Sequence, residues 1–185
     1  MWKAFGAAFG LTFIAELGDK TQLAVLTLSA RYGFLPVFLG AAAAFVVLDA
    51  LAVTLGAVLS RYVPADVVRY VSAAVFIVFG VLSFRPEKEE KVHAERAKNP
   101  FLASFAFVAL MELGDKTQLS LVALTSKYGY PLLVFLGGTL ALWTTSLLGA
   151  LLGRGLAALV PLKYIRWCSG VVFIAFGILI AVGVL

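Results

Sequence analysis

The sequence predicts an all-α integral membrane protein with six transmembrane helices, arranged as two inverted three-helix repeats. Three observations lead to this fold class. Of the 185 residues, 62% are hydrophobic and only 14% are charged, whereas a soluble domain is about half apolar and a quarter charged. Several apolar runs reach the roughly 20 residues that are needed to cross a bilayer. The chain also consists largely of two similar halves, one on either side of a strongly charged segment.

Six apolar runs are separated by charged and turn-forming residues. Because these runs are continuously apolar rather than alternating, they predict helices and not membrane strands. Prolines and tyrosines lie near the ends of the runs, where proline suits helix starts and tyrosine suits the membrane interface. The predicted spans are 4–28, 35–59, 67–84, 101–124, 132–152 and 164–184.

The repeat covers nearly the whole chain. The string ELGDKTQL begins at Glu16 and recurs at Glu112, and RYVSAAVFIVFGVL from Arg69 matches RWCSGVVFIAFGIL from Arg166. Three spans per half is an odd number, so the second half is predicted to enter the membrane inverted, as in transporters with a substrate site at the repeat interface. The chain divides into a first repeat, a charged linker and a second, inverted repeat, at 1–84, 85–100 and 101–185.

Basic residues outside the repeated motif predict the orientation, because cytoplasmic loops carry an excess of Lys and Arg. One side of the predicted topology has the smaller set, Lys3, Arg61, Arg69 and Lys127. The other side has Arg31, Arg85, Lys88, Lys91, Arg96, Lys98, Arg154, Lys163 and Arg166. We therefore expect a multi-pass protein with the linker in the cytoplasm and both termini outside.

The first apolar run is predicted to be a retained span. It contains Glu16, Asp19 and Lys20, whereas the core of a cleavable signal peptide is uninterrupted. No leader rich in Arg and Ser precedes it. This favours the plasma (inner) membrane of a bacterium or archaeon as the location.

Each half places three ionisable residues well inside a span, at Glu16, Asp19 and Lys20 and at Glu112, Asp115 and Lys116. A charge at the bilayer centre costs at least ~2.5–3.5 kcal/mol on insertion scales, and such residues usually face a bundle interior or a watery cavity. A purely structural role as salt bridges is the alternative. Polar contacts in membranes contribute only ~0.6 kcal/mol on average, so the pattern indicates a functional ion site.

The oxygen donors of the two motifs predict a site for a hard divalent cation. On a continuous helix the acids at i and i+3 and the following glutamine share one face. Carboxylate, amide and hydroxyl oxygens suit Mg²⁺, Ca²⁺ or Mn²⁺. The predicted metal ligands are Glu16, Asp19, Gln22, Glu112, Asp115 and Gln118, and the predicted auxiliary or proton-coupling residues are Lys20, Thr21, Asp49, Lys116 and Thr117.

The lysines set the charge of this site. Lys20 follows Glu16 by four residues, as Lys116 follows Glu112, so a pair within each motif is expected on a helix. Each motif then keeps one net negative charge, and two converging motifs suit one divalent cation. Gly18 and Gly114 either loosen the helix, so that main-chain carbonyls become ligands, or serve close helix packing.

Protons and a metal ion would compete for the same carboxylates, which is the minimal requirement of a cation/proton exchanger. Coupling to Na⁺ also remains open. Asp49 lies inside the second span, and its counterpart in the second half is Ser146. We expect Asp49 to be a proton relay, an auxiliary ligand or a partner of Lys20 or Lys116, and the sequence leaves the choice open.

The duplicated motif resembles the signature E-x-G-D-K-[ST] of a family of cation/proton exchangers, which includes calcium and manganese transporters of bacterial, chloroplast and Golgi membranes. Both copies match in full, at residues 16–21 and 112–117, and the resemblance extends over essentially all 185 residues. It implies a secondary transporter, not an enzyme, that exports Mn²⁺ and/or Ca²⁺ from the cytoplasm in exchange for protons. It also implies that the four motif acids are ion ligands and that no prosthetic group is needed.

Other readings of the chain remain as alternatives. An efflux transporter for small organic cations, like the lysine exporters, would need a roomier site, whereas a divalent cation channel would use the same ligands. A membrane enzyme would need an activated nucleophile. We expect the metal ion, protons and the lipid bilayer as partners and no nucleic acid, because basic residues cluster at span ends. A homo-oligomer remains open.

Overall fold

A computed structural model describes residues 2–17, 19–84, 99–159 and 162–184. All regular structure within these ranges is helical, which confirms the all-α prediction for this part of the chain. Residues 85–98 of the predicted linker lie outside the described residues, so the division into two repeats and a linker stays a prediction. The helices are α1 Trp2–Glu16, α2 Lys20–Tyr32, α3 Phe34–Tyr62, α4 Ala65–Leu82, α5 Pro100–Glu112, α6 Lys116–Tyr128, α7 Pro131–Leu159 and α8 Leu162–Ala181.

Three stretches of helix are long and apolar enough to cross a membrane: α3, α4 and residues Pro131–Leu148 of α7. Shorter apolar helices are α5 and the part of α8 from Trp167 to Ala181. Large apolar side chains such as Leu51 and Val71 are more than half exposed on the outer faces. Such contiguous apolar surfaces are typical of proteins whose outer solvent is lipid.

Each repeated motif interrupts a helix, so the prediction of one continuous helix through the motif is wrong. In the first half α1 ends at Glu16 and α2 begins at Lys20, and in the second half α5 ends at Glu112 and α6 begins at Lys116. The predicted spans 4–28 and 101–124 are thus each divided into two helices. The motif acids flank a break and do not share one helical face.

The backbone of the second motif gives the physical reason for the break. Gly114 has a φ of +76°, a left-handed conformation that glycine adopts readily because it has no Cβ. Asp115 follows in an extended conformation, with φ −73° and ψ 169°. Neither conformation continues an α-helix. Asp19 is extended in the same way, with φ −73° and ψ 163°, whereas Gly18 lies outside the described residues.

Contacts between helices pair equivalent elements of the two sequence halves. Helix α1 packs against α7, and its counterpart α5 packs against α3. Helix α4 packs against its own counterpart α8. In this last contact the rings of Phe76 and Phe173 stack with their centroids 5.9 Å apart. These two phenylalanines occupy equivalent positions in the repeat.

Equivalent glycines allow two of these contacts to be close. A Cβ on Gly40 would overlap the carbonyl oxygen of Phe101, and a Cβ on Gly137 would lie 2.6 Å from the carbonyl oxygen of Phe5. Small residues at such positions let the backbones of membrane helices approach each other. The packing therefore brings α1 onto α7 and α5 onto α3, and it places both motifs in the interior.

Candidate metal site

Each motif glutamate accepts a hydrogen bond from the motif threonine of the other half. The Thr21 hydroxyl donates to Glu112 Oε1 at 2.5 Å, and the Thr117 hydroxyl donates to Glu16 Oε1. All four side chains are buried. Because the two bonds are related by the sequence repeat, the motifs converge on one another, as the sequence predicts for a shared site.

Three carboxylates form the centre of this region. One oxygen from each of Glu16, Asp19 and Asp115 lies within 4.8 Å of the other two. Ligand oxygens on opposite sides of a divalent ion lie roughly 4–5 Å apart, since metal–oxygen distances are about 2.0–2.6 Å. The spacing of this acidic triad therefore suits a single hard cation. Glu112 lies outside the triad and is connected to the region through Thr21.

An ion pair between the halves contributes to the charge of the triad. The sequence predicts a pair of Lys116 with Glu112 of its own motif, whereas the ammonium lies 3.2 Å from Asp19 Oδ1 of the other motif. The second oxygen of Asp19, Oδ2, is buried and has no hydrogen-bond partner among the described residues. A buried acceptor with no donor is the kind of group that binds a cation. The side chain of Lys20 lies outside the described part of the chain.

The two motif glutamines bind main-chain carbonyls of the long helix of the opposite half. Gln22 Nε2 donates to the carbonyl of Thr145 at 2.7 Å, and Gln118 Nε2 donates to the carbonyl of Leu48 at 3.4 Å. Leu48 and Thr145 are equivalent in the repeat. The Gln118 side-chain oxygen accepts from the Gly114 amide at 2.6 Å. The glutamines therefore bridge the helix breaks to α3 and α7.

Asp49 lies buried on α3 and accepts a hydrogen bond from the Thr139 hydroxyl of α7 at 2.7 Å. Sequence reasoning did not identify Thr139. The sequence does distinguish both residues, because neither is matched in the other half. Ser146 is the counterpart of Asp49, and Ala42 is the counterpart of Thr139. Comparing the halves for polar residues without a matching counterpart would have found this pair. The three roles given for Asp49 stay predictions.

A helical membrane protein with a buried acidic cluster between two repeated halves has the features of an ion transporter. Comparison with known families agrees. The family model described as "Divalent cation/proton antiporter GDT1" matches residues 4–91 and 100–184, and the chain belongs to this family. The resemblance recognised in the sequence is thereby confirmed. The family is a class of membrane transporters and not a class of enzymes.

Several relatives match most of the chain. A Vibrio cholerae protein named "Putative manganese exporter" is 32% identical over 163 residues, which are 87% of this chain and 82% of the relative. "GDT1-like protein 5" of Oryza sativa is 26% identical over 95% of this chain and 92% of its own length. "GDT1-like protein sll0615" of Synechocystis is 25% identical, and the match covers 96% of each protein. No solved structure matches the chain.

Proposed function

We propose that this chain is a secondary transporter that exports Mn²⁺ and/or Ca²⁺ from the cytoplasm in exchange for protons. The observation that carries the proposal is the acidic triad, in which carboxylates from both halves lie close enough to share one ion. Membership of a divalent cation/proton antiporter family supports the class of reaction. The name of the Vibrio cholerae relative supports manganese and the direction of transport.

The proposed ligands are the motif acids, with the triad in direct contact with the ion and Glu112 adjacent to it. Carboxylate oxygens are hard donors that accept both Mn²⁺ and Ca²⁺. The amide oxygens of Gln22 and Gln118 complete the proposed ligand set. For Gln118 this requires an oxygen that also accepts from the Gly114 amide, which a carbonyl oxygen with two lone pairs permits.

Exchange follows from the cost of leaving buried carboxylates without a positive partner. Glu16, Asp19 and Glu112 are each less than a tenth exposed, and an uncompensated charge in such surroundings is strongly unfavourable. When the metal ion leaves, protons restore neutrality, and when the ion binds, it displaces them. Lys116 offsets part of the charge in either case. One site that holds either protons or metal, but not both, couples the two fluxes.

The proposed architecture has six spans in two inverted repeats, with α1 and α2 forming one broken span and α5 and α6 forming its counterpart. Breaks at equivalent positions support this arrangement, because discontinuous helices form the substrate sites of many inverted-repeat transporters. We place the protein in the plasma membrane, with the linker in the cytoplasm and both termini outside. The excess of Lys and Arg on the linker side supports this orientation.

Flux measurements in proteoliposomes test the proposal. The purified chain is reconstituted with a pH-sensitive dye inside the vesicles, and Mn²⁺ or Ca²⁺ is added outside. Exchange predicts metal entry together with alkalinisation of the interior, and an imposed proton gradient should drive metal uptake. Metal entry without opposite proton movement would identify a channel and reject exchange. Transport of lysine or another organic cation, without metal transport, would reject the site itself.

A further inference from the structure

An apolar groove lies on the outer surface between α3, α4 and α6, and the triad residues Glu16, Asp19 and Asp115 do not line it. Its volume is about 380 Å³, which falls in the range of roughly 300–1,000 Å³ that is typical of small-molecule sites. The lining side chains are almost all aliphatic, and they include Leu55, Leu59, Val67, Val71, Leu119 and Val122. Among the described lining residues, Ser72 and Ser126 carry the polar side chains. A hydrocarbon chain fits this chemistry.

A second, polar pocket adjoins one end of the groove. Its volume is about 260 Å³, and it shares Val63, Val68 and Ser126 with the groove. Its charged lining residues are Asp66, Arg69 and Lys127. The groove and the pocket together form one continuous site with an apolar body and a basic end.

Arg69 has a hydrogen-bond donor in this pocket that no described residue uses. Its Nη2 donates to the Tyr70 hydroxyl at 2.7 Å, but its buried Nε has no acceptor among the described residues. Asp66 lies 4.0 Å from the guanidinium and its side chain is 83% exposed, so this ion pair is weak. The pocket also lies where α4 begins, at Ala65, and helix N-termini attract anions.

We propose that this site binds one anionic phospholipid. One acyl chain lies in the groove between α4 and α6, and the headgroup phosphate is held by Arg69 and Lys127. The level of the pocket agrees with this assignment, because Tyr62 and Tyr70 are both more than half exposed beside it, and exposed tyrosines concentrate at the membrane–water interface. Basic pockets between membrane helices on the cytoplasmic side bind anionic headgroups through the same contacts; in the proposed orientation this pocket faces the outer leaflet.

Thermal unfolding and native mass spectrometry of the delipidated full chain in detergent test this site. Phosphatidylglycerol should raise the unfolding midpoint more than phosphatidylcholine does, and one molecule of it should remain bound in the spectrum. The double substitution Arg69→Gln with Lys127→Gln should weaken the apparent affinity for phosphatidylglycerol by roughly tenfold or more. Arg31→Gln is the matched control, because Arg31 is the repeat counterpart of Lys127 and does not line the site.

A second variant tests the groove independently of the basic end. Val71→Trp fills the groove at a residue that is 57% exposed, and it should reduce retention of phosphatidylglycerol without lowering the unfolding midpoint of the lipid-free protein. Glycerol phosphate alone should give no shift, since it lacks the acyl chain. Equal effects of the two lipids on wild-type protein would overturn the proposal. So would an equal loss in Arg31→Gln, or full retention of the lipid by Val71→Trp. If the wild-type protein is a dimer that Val71→Trp dissociates without loss of lipid, the groove binds a second copy of the chain and the lipid proposal is wrong.

Discussion

The Lys116 ammonium of the second motif lies 3.2 Å from Asp19 Oδ1 of the first. Two threonine hydroxyls cross between the halves in the same way, from Thr117 to Glu16 and from Thr21 to Glu112. Asp19, Glu16 and Glu112 are therefore each partnered by a donor of the other motif. A displacement of one half relative to the other would change all of these contacts at once, which links the acidic triad to any rearrangement of the repeats.

Replacing the motif glutamates by glutamine should lower metal transport, and most strongly at Glu16 of the triad. Glu16→Gln keeps an oxygen that can accept a hydrogen bond from Thr117, but it removes one negative charge from the triad. Because the affinity of a site for a divalent ion depends on the charge of its ligands, we expect Mn²⁺ flux to fall by at least about tenfold. Glu112→Gln should have a smaller effect, because Glu112 lies outside the triad. Flux in proteoliposomes measures both. Asp66→Asn is the control, because Asp66 is an exposed acid that belongs to neither motif. Intact flux in both glutamine variants would refute the site.

The hydroxyl bonds between the halves should contribute measurably to stability. Thr117→Val and Thr21→Val each leave a buried carboxyl oxygen without its hydrogen-bond donor, which costs about 1–3 kcal/mol. We expect a lower unfolding midpoint in detergent, with recovery in the serine variants. Thr144→Val is the matched control, because Thr144 is exposed and donates to the carbonyl of Leu140 within its own helix. An equal drop in the unfolding midpoint of Thr144→Val would show that the bonds between the halves contribute no more to stability than a bond within one helix.

Removal of the Lys116 ammonium should make stabilisation by metal larger. In Lys116→Met the buried Asp19 loses its cation, so the metal-free protein should be less stable, and a bound divalent ion should replace the missing charge. The rise in unfolding midpoint on addition of Mn²⁺ should therefore exceed that of the wild type, since a ligand stabilises according to its affinity for the folded state. Lys3→Met at the exposed start of α1 should leave this rise unchanged. A smaller rise in Lys116→Met would mean that the lysine assists ion binding.

Close packing between the halves should be sensitive to a single methyl group. Gly137→Ala places a Cβ 2.6 Å from the carbonyl oxygen of Phe5, and overpacking of this kind costs about 1–3 kcal/mol. Gly10→Ala on α1 is the matched control, because a Cβ there meets nothing within 4 Å. We expect the first variant to unfold at a lower temperature in detergent and the second to match or exceed the wild type. Equal midpoints would show that α1 and α7 can separate at no cost.

Apolar runs and the repeated motif were enough to predict an all-helical protein and to select the acids that the structure brings together. The sequence offered loosening of the helix at Gly18 and Gly114 as one of two readings, beside close packing, and in the second motif the break is centred on Gly114. Hydropathy and periodicity average over many residues, whereas a break depends on the φ and ψ of one or two. The expected sharing of one helical face by Glu112 and Asp115 failed for this reason.

The sequence by itself determined the class of protein, the duplication and the identity of the acidic and polar groups, because composition and motif spacing are properties of the linear chain. Only the tertiary structure decided their partners: Asp19 for Lys116, Glu16 for Thr117 and Asp49 for Thr139. These residues are separated by about 90 to 100 positions. Which of them meet depends on how closely α1 packs on α7 and α3 on α5, and no local pattern encodes that packing.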